Sequence, residues 1–254
     1  MLHLAKSKTL VGKIKVGAVS YLNTKPLLYG LKSSDMIKKM ELSLEFPSQL
    51  AHKLKIGEID MALLPVAAIR EIEGARIVGD YGIAADGEVA SVAIFSAVPI
   101  EEVEEVLLDY QSRTSVILAQ ILLEKHWGKK VIFKQASDNF IYEIKGTTAA
   151  VIIGDRALEQ LYSFEFVYDL SRAWKDFTGL PFVFAAWVTN KDLHEAFLQQ
   201  FNEANAVGLA HLDEIVDAIA YPFYDLKTYF TYNIHYLLDE EKRKGLQRFL
   251  KMIP

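Results

Sequence analysis

Three short polar segments of this 254-residue sequence carry side chains suited to binding or catalysis. They are 20–26 (SYLNTKP), 112–115 (SRTS) and 154–156 (GDR), and each follows a run typical of a buried strand. Each also precedes a pattern typical of a helix, whose first amides are unpaired and favour an anion. Because ligands of parallel α/β sheets bind beyond the carboxyl ends of the strands, these junctions are the first candidates for a site.

The segment 112–115 has the groups best suited to binding a carboxylate. Ser112, Thr114 and Ser115 offer hydroxyls beside free helix amides, and Arg113 offers a guanidinium. A simpler interpretation is that Thr114 or Ser115 only caps the following helix while Arg113 points to solvent. The residue types leave both interpretations open.

Other polar residues near predicted strand ends could act on a ligand. Asn23 can donate and accept hydrogen bonds at once, although a turn or capping role is an alternative. Asp155, which follows Gly154, is more typical of a helix cap than of a catalyst. Ser91 lies in a predicted strand, Val89–Phe95, among apolar neighbours. Its hydroxyl is therefore expected either to be buried with a partner or to face a cleft.

The elements that must position these residues alternate between strand and helix, which predicts an α/β architecture. The predicted strands are 13–19, 41–46, 60–64, 89–95, 106–109, 131–135, 149–153 and 180–188. No long linker interrupts the pattern. We predict that lobe one comprises 1–97 and 185–254 and that lobe two comprises 98–184. Two crossings of extended chain would then form a hinge, with a cleft between the lobes.

The composition excludes several classes of function. The chain has no cysteine, which excludes disulfides, cysteine nucleophiles and thiolate metal sites. Its six histidines show no metal-ligand spacing, and it has no glycine-rich phosphate motif or serine-hydrolase elbow. The net charge is −5, and the chain has no basic block and no apolar run of the about 20 residues that cross a bilayer. We therefore expect a cytoplasmic protein that binds neither nucleic acid nor membrane.

A series of longer sequence blocks points to a known family. The blocks are 16–27 (VGAVSYLNTKPL), 47–51 (PSQLA), 57–60 (GEID), 64–66 (LPV), 86–92 (DGEVASV), 109–115 (DYQSRTS), 153–158 (IGDRAL) and 174–185 (WKDFTGLPFVFA). In this order they resemble the chorismate dehydratases of menaquinone biosynthesis by the futalosine pathway. The resemblance extends from about residue 13 into the C-terminal helices, and the first dozen residues have no counterpart in it.

The resemblance implies a two-lobed fold similar to the type II periplasmic-binding proteins, with an interlobe cleft. It also implies a cofactor-independent hydro-lyase that removes water from chorismate, a dianion, to give 3-[(1-carboxyvinyl)oxy]benzoate. By the same resemblance, Asn23 and Ser91 would contact the substrate near the reacting carbons. The substrate-binding residues that it implies are Ser20, Ser112, Thr114, Ser115, Gly154 and Asp155.

The proton acceptor of such a reaction stays open at this point. The substrate's own enolpyruvyl carboxylate could serve, positioned by Asn23, or Asp155 or Glu88 could serve with a pKa raised by burial. Glu88 stands where many relatives would have proline. Two alternative functions share the fold: the sister enzyme of the same pathway, which acts on cyclic dehypoxanthine futalosine, and a non-catalytic solute-binding protein. No oligomeric state is predicted.

Overall fold

The computed structural model describes residues 12–109 and 113–253, and its strands form two separate sheets. The strands are β1 (Ile14–Ala18), β2 (Met40–Leu44), β3 (Met61–Pro65), β4 (Arg76–Ala85), β5 (Val92–Ser96), β6 (Glu105–Leu108), β7 (Ile132–Gln135), β8 (Thr148–Ile153), β9 (Phe166–Asp169), β10 (Phe182–Thr189) and β11 (His235–Leu237). Their central members are apolar and buried, as strands covered on both faces require.

Helices connect the strands and make up most of the C-terminal part of the chain. They are α1 (Lys25–Ser33), α2 (Met36–Lys39), α3 (Pro47–Lys55), α4 (Arg113–Lys125), α5 (Asp155–Gln160), α6 (Leu170–Thr178), α7 (Glu195–Ala210), α8 (Leu212–Asp217), α9 (Leu226–Thr228) and α10 (Glu240–Met252). A π-helical turn, Tyr229–Asn233, follows α9 directly. Within the described residues, no helix combines the length and the apolar character needed to span a membrane.

The first sheet has six strands in the order β11-β4-β10-β3-β1-β2. β1 runs parallel to both β2 and β3, as the alternation of strands and helices predicts. β10 is antiparallel to both β3 and β4, and β11 is antiparallel to β4. The sheet is therefore mixed, with its parallel part at the start of the chain.

The second sheet has five strands in the order β7-β6-β8-β5-β9. β6 is parallel to β7 and to β8, so the junctions after β6 and β8 lie side by side at one edge of this sheet. β5 is antiparallel to β8, with Val92 opposite Ile153. This register places the residue before β5 next to the residue after β8.

The chain passes from the first sheet to the second through residues 86–91 and returns through residues 170–181. The predicted boundary at 97 lies after β5, which pairs in the second sheet, and that at 185 lies inside β10, which pairs in the first. The division into lobes at those residues stays a prediction. Residues 1–11 lie outside the described residues.

An aromatic cluster joins α6 to the first sheet. The Trp174 ring packs edge-on against Phe182 and Phe249, with centroids 5.4 and 6.1 Å away. Its indole N–H donates to the Pro181 carbonyl oxygen over 3.2 Å. Because Trp174 is fully buried, the apolar core is continuous at the return crossing.

Two glycines allow α1 to approach α7 closely. A Cβ on Gly30 would lie 1.9 Å from the Ala204 carbonyl oxygen, and one on Gly208 would lie 1.8 Å from that of Pro26. Such contacts are far inside van der Waals distance, so both positions require glycine. The close packing holds α1, and with it the loop that precedes it, against the body of the first sheet.

Candidate active site

A cavity open to solvent lies where the loops of the two sheets meet, and its empty space together with the solvent at its mouth is about 630 Å³. Its walls are mostly apolar, formed by residues such as Val19, Leu63 and Phe184. The polar side chains that line it are those of Tyr21, Asn23, Thr24, Ser91, Thr114 and Ser115. None of the described residues that line this cavity is charged. Apolar walls with a few convergent polar groups are typical of a small-molecule site.

Asn23 lies in a one-turn 3₁₀ helix, Leu22–Thr24, between β1 and α1. The Thr24 hydroxyl fastens this turn by donating to the carbonyl oxygens of Val19 and Tyr21 at 2.8 and 2.7 Å. Asn23 reaches the cavity, and its side-chain oxygen is buried with no hydrogen-bond partner among the described residues. A buried, unpaired acceptor in a cavity wall is suited to a donor on a ligand.

Ser91 immediately precedes β5 and is 1% exposed. Ser91 lines the cavity, and its hydroxyl oxygen accepts a 2.8 Å hydrogen bond from the Tyr229 hydroxyl. Burial raises the pKa of the same Tyr229 phenol, and a smaller effect of a hydrogen bond with the Asn23 side-chain amide lowers it. Asn23 and Ser91 therefore come together around one buried tyrosine.

Thr114 and Ser115 lie in the first turn of α4, are buried, and line the cavity. The Thr114 hydroxyl accepts a 3.1 Å hydrogen bond from the Ala67 amide, which belongs to the connection after β3. It thus joins the two halves of the site. The Arg113 guanidinium is exposed and pairs with Glu71 at 2.6 Å; Arg113 lines an adjoining pocket that shares Pro47 and Pro65 with this cavity.

The third predicted junction contributes through its backbone. Gly154 follows β8 with φ of +64°, a conformation that favours glycine, and it lines the cavity. Its N–H donates to the Ser91 carbonyl oxygen over 2.7 Å. That amide is therefore used to hold Ser91 in place.

Two further predicted residues, Asp155 and Ser20, are outside the cavity lining formed by the described residues. The Asp155 carboxylate accepts a 3.1 Å hydrogen bond from the Leu22 amide, and burial raises the pKa of this carboxyl. Asp155 is not among the described residues that line the cavity, and neither is Ser20, which is exposed. Ser112 lies outside the described residues.

Glu88, the alternative proton acceptor, is also outside the cavity lining given by the described residues. Its side chain is 56% exposed and lies 3.7 Å from the Arg172 guanidinium. This carboxylate faces solvent on the outside of the turn that carries Ser91. It is therefore poorly placed to take a proton from a ligand inside.

Sequence reasoning missed two residues that hold this site. Tyr229 belongs to an aromatic run, 221–236, that the sequence indicates only as packing material. Asp169 ends β9 and caps α6 by accepting from the Ser171 and Arg172 amides. The local pattern signals the cap, but its second oxygen accepts from the Val89 and Ala90 amides, far away along the chain.

Among the described residues, no three histidine, aspartate or glutamate side chains are close enough to hold a metal ion. The polar side chains of the described cavity lining offer hydroxyls and one amide.

Two mixed sheets, two chain crossings and a cavity between them define a protein of the periplasmic-binding-protein fold class. A conserved Candida albicans gene product that exhibits the generic periplasmic binding protein structural fold matches with a TM-score of 0.62 at 13% identity, over 96% of this chain and 90% of that one. The predicted two-lobed α/β fold class is confirmed.

The chain belongs to the menaquinone-biosynthesis family, whose model matches residues 14–254. The chain is 26% identical to a chorismate dehydratase from Thermus thermophilus, over 94% of each chain. It is 28% identical to a chorismate dehydratase from Campylobacter jejuni, over 92% of this chain and 95% of that one. The predicted family is confirmed.

Proposed function

We propose that this chain is a hydro-lyase that converts chorismate to 3-[(1-carboxyvinyl)oxy]benzoate and water in menaquinone biosynthesis. The observation that carries the proposal is the convergence of Asn23 and Ser91, from opposite halves of the site, on one cavity. The family membership and the two similar chorismate dehydratases support the same reaction. The enzyme is proposed to need no cofactor and to act in the cytoplasm.

The reaction is an elimination from the ring of chorismate. The carbon that bears the enolpyruvyl ether loses its proton, the neighbouring carbon loses its hydroxyl, and the ring becomes aromatic. Since aromatisation makes the overall step favourable, the enzyme must mainly orient the substrate and assist the leaving hydroxyl. Ser91 keeps its own hydroxyl proton for this purpose, because it accepts from Tyr229 and can still donate.

Chorismate carries two carboxylates, which the site would bind without cationic side chains from its described lining. Thr114 and Ser115 present hydroxyls at the first turn of α4, a 13-residue helix whose amino end favours an anion. We place the ring carboxylate there. The ring hydroxyl, which is the hydrogen-bond donor of chorismate, would then face the Asn23 side-chain oxygen, which has no partner among the described residues.

The proton acceptor that fits these positions best is the enolpyruvyl carboxylate of the substrate. The side chains of Asp155 and Glu88 lie outside the described cavity lining, and Asp155 already accepts from the Leu22 amide. An acceptor must come within about 2.6–3.2 Å of the proton that it takes, directly or through one water. The substrate's own carboxylate satisfies this requirement by its connection to the reacting carbon.

The direct test is to incubate the purified protein with chorismate, without added metal or cofactor, and to follow products by chromatography with mass detection. We expect a product 18 mass units lighter than chorismate, with an aromatic ultraviolet spectrum. Binding of chorismate without conversion would support a solute-binding role instead. Neither binding nor conversion would reject chorismate as substrate, and cyclic dehypoxanthine futalosine would be the next compound to try.

A further inference from the structure

The turn that carries Ser91 has a backbone conformation found at no other non-glycine residue of the described chain. Ala90 has φ of +60°, in a region that a residue with a Cβ rarely adopts. The Ser91 amide donates to the Val89 carbonyl oxygen over 2.7 Å and closes a three-residue γ-turn. Such strain persists only where the surrounding structure imposes it.

The carboxylate of Asp169 supplies the main contact to the middle of this turn. Its Oδ2 accepts from the Val89 amide at 2.9 Å and from the Ala90 amide at 2.7 Å. Its Oδ1 accepts from the Ser171 and Arg172 amides at 2.9 and 3.0 Å. One side chain thus attaches the turn to the first turn of α6.

The two ends of the turn are held by other groups. The side-chain amide of Asn233 donates to the Glu88 carbonyl oxygen over 3.1 Å. The backbone N–H of Gly154 donates to the Ser91 carbonyl oxygen over 2.7 Å. These contacts fix the carbonyl groups at the two ends of the turn. The direction of the Ser91 side chain then depends on the backbone conformation of Ala90, which lies between them. Ala90 would relax toward negative φ if its amide lost its acceptor, and Ser91 would rotate with it.

We propose that Asp169 is a positioning residue: it holds the strained turn at Ala90 and so keeps the Ser91 hydroxyl directed into the cavity. This inference rests on the proposed function, in which Ser91 contacts the substrate. Asp169 is not among the described residues of the cavity lining, so it acts through Ser91 and does not touch the substrate.

A purely structural role for Asp169, as the cap of α6, predicts different behaviour. A lost cap lowers stability whatever residue stands at position 90. Loss of the Asp169 contacts should matter less when position 90 is glycine, because glycine adopts positive φ without a Cβ penalty and the turn is then not strained. The substitution Ala90→Gly therefore separates the two roles.

The experiment measures kcat and KM for chorismate in Asp169→Asn, in Ala90→Gly and in the double variant. Asparagine places an NH₂ group where one pair of amides donates, so we expect Asp169→Asn to lower kcat about 10- to 100-fold with little change in KM. Adding Ala90→Gly should restore at least about fivefold of that loss. Full activity of Asp169→Asn, or no restoration in the double variant, would overturn the proposal.

Asp239→Asn is the matched control. Asp239 caps α10 by accepting from the Lys242 amide at 3.0 Å, it also pairs with the buried Lys242 ammonium, and it lies away from the cavity lining described. We expect it to lower thermal stability and to leave kcat within about twofold of wild type. An equal loss of kcat in Asp239→Asn would show that any lost cap has this effect, and the positioning role would be wrong.

Amide hydrogen exchange keeps this inference separate from the proposed function. If wild-type protein fails to dehydrate chorismate, the proposed function is wrong, and exchange at Val89 to Ser91 still reports on the clamp. Faster exchange at these amides in Asp169→Asn than in the wild-type protein would support the clamp. Unchanged exchange would overturn it.

Discussion

The Tyr229 hydroxyl donates a hydrogen bond to the Ser91 hydroxyl oxygen over 2.8 Å, and both side chains are buried. Burial raises the pKa of Tyr229 far above its ordinary value, against smaller opposing effects of Ser91 and Asn23. The phenol therefore keeps its proton at any working pH and acts as a constant donor. Ser91 accepts this bond and keeps its own hydroxyl proton available to a further acceptor.

Replacing Tyr229 with phenylalanine tests this relationship. Phe keeps the ring packing and removes the donor, so we expect kcat for chorismate to fall about tenfold, the effect of about 1.4 kcal/mol in the transition state. KM should change little, because the hydroxyl does not contact the substrate. Steady-state kinetics would check both numbers, and an unchanged kcat would contradict a role for this donor.

Tyr236→Phe is the control for that substitution. Tyr236 is also buried, and its hydroxyl has no hydrogen-bond partner among the described residues. Removing an unpaired buried hydroxyl should leave kcat unchanged and hold or raise the melting temperature. A loss of activity comparable to that of Tyr229→Phe would mean that both variants act through general packing.

Asn23→Ala should abolish most of the turnover while the fold persists. The side chain reaches the cavity with an unpaired oxygen, and loss of one well-placed polar contact to a transition state lowers kcat about 10²- to 10³-fold. Circular dichroism and a melting curve would show that the protein is folded. Normal turnover in this variant would remove Asn23 from the catalytic residues.

Asp155→Asn distinguishes the candidates for the proton acceptor. The amide oxygen of asparagine can still accept from the Leu22 N–H, so the contact across the cleft is kept. If the substrate's carboxylate takes the proton, kcat should stay within about threefold of wild type. A loss of 10²-fold or more, with an unchanged melting temperature, would identify Asp155 as the base.

The pH dependence of turnover should show an acidic limb that belongs to Asp169. Burial raises the pKa of this carboxyl to about 6, against the four amides that donate to it. The ionised form, which can accept all four bonds, is therefore present above pH 6 and is lost as the pH falls through that value. We expect kcat to fall below about pH 6 in wild type and to be flat there in Asp169→Asn.

Neighbouring charges do not replace Asp169 as the origin of that limb. On the turn and on α6, Glu88 pairs with Arg172 and Asp86 pairs with Lys175. Tyr224 is the other titratable group that responds to the Asp169 charge, and its own pKa is raised by burial. Because the folded state binds the Asp169 proton more tightly than the unfolded state, this group adds stability on acidification. A loss of activity near pH 5 with a melting temperature that holds or rises would therefore agree with it.

Much of the fold could be predicted because the relevant signals are local. β3 is an apolar run, β8 is apolar after Thr148 and β1 has Lys15 as its single polar side chain, while prolines at 26 and 47 mark the first turns of α1 and α3. β4 was not predicted, since Gly79, Asp80 and Gly82 interrupt its apolar pattern. The run 180–188 does form a strand, β10, but hydrophobicity carries no information on direction, and it pairs antiparallel.

The residues around Ser91 show why the site was harder to predict than the fold. Val89, Ala90 and Ser91 continue the apolar pattern of β5 and were predicted as strand, yet they form the γ-turn. The groups that impose this conformation are Asp169 and Tyr229, which lie about 80 and 138 residues further along the chain. A window of local sequence contains neither of them.

The described residues that line the cavity are uncharged, and this affects how strongly a carboxylate bound there would hold a proton. A guanidinium or ammonium group beside a carboxylate stabilises the anion and lowers its affinity for a proton. Hydroxyls and amides do so less strongly, and apolar walls such as Phe184 act in the opposite direction. A carboxylate of chorismate held here would be bound less tightly than beside an arginine, but it would remain more basic. A carboxylate of the substrate would in this way stay basic enough to accept the ring proton in the elimination.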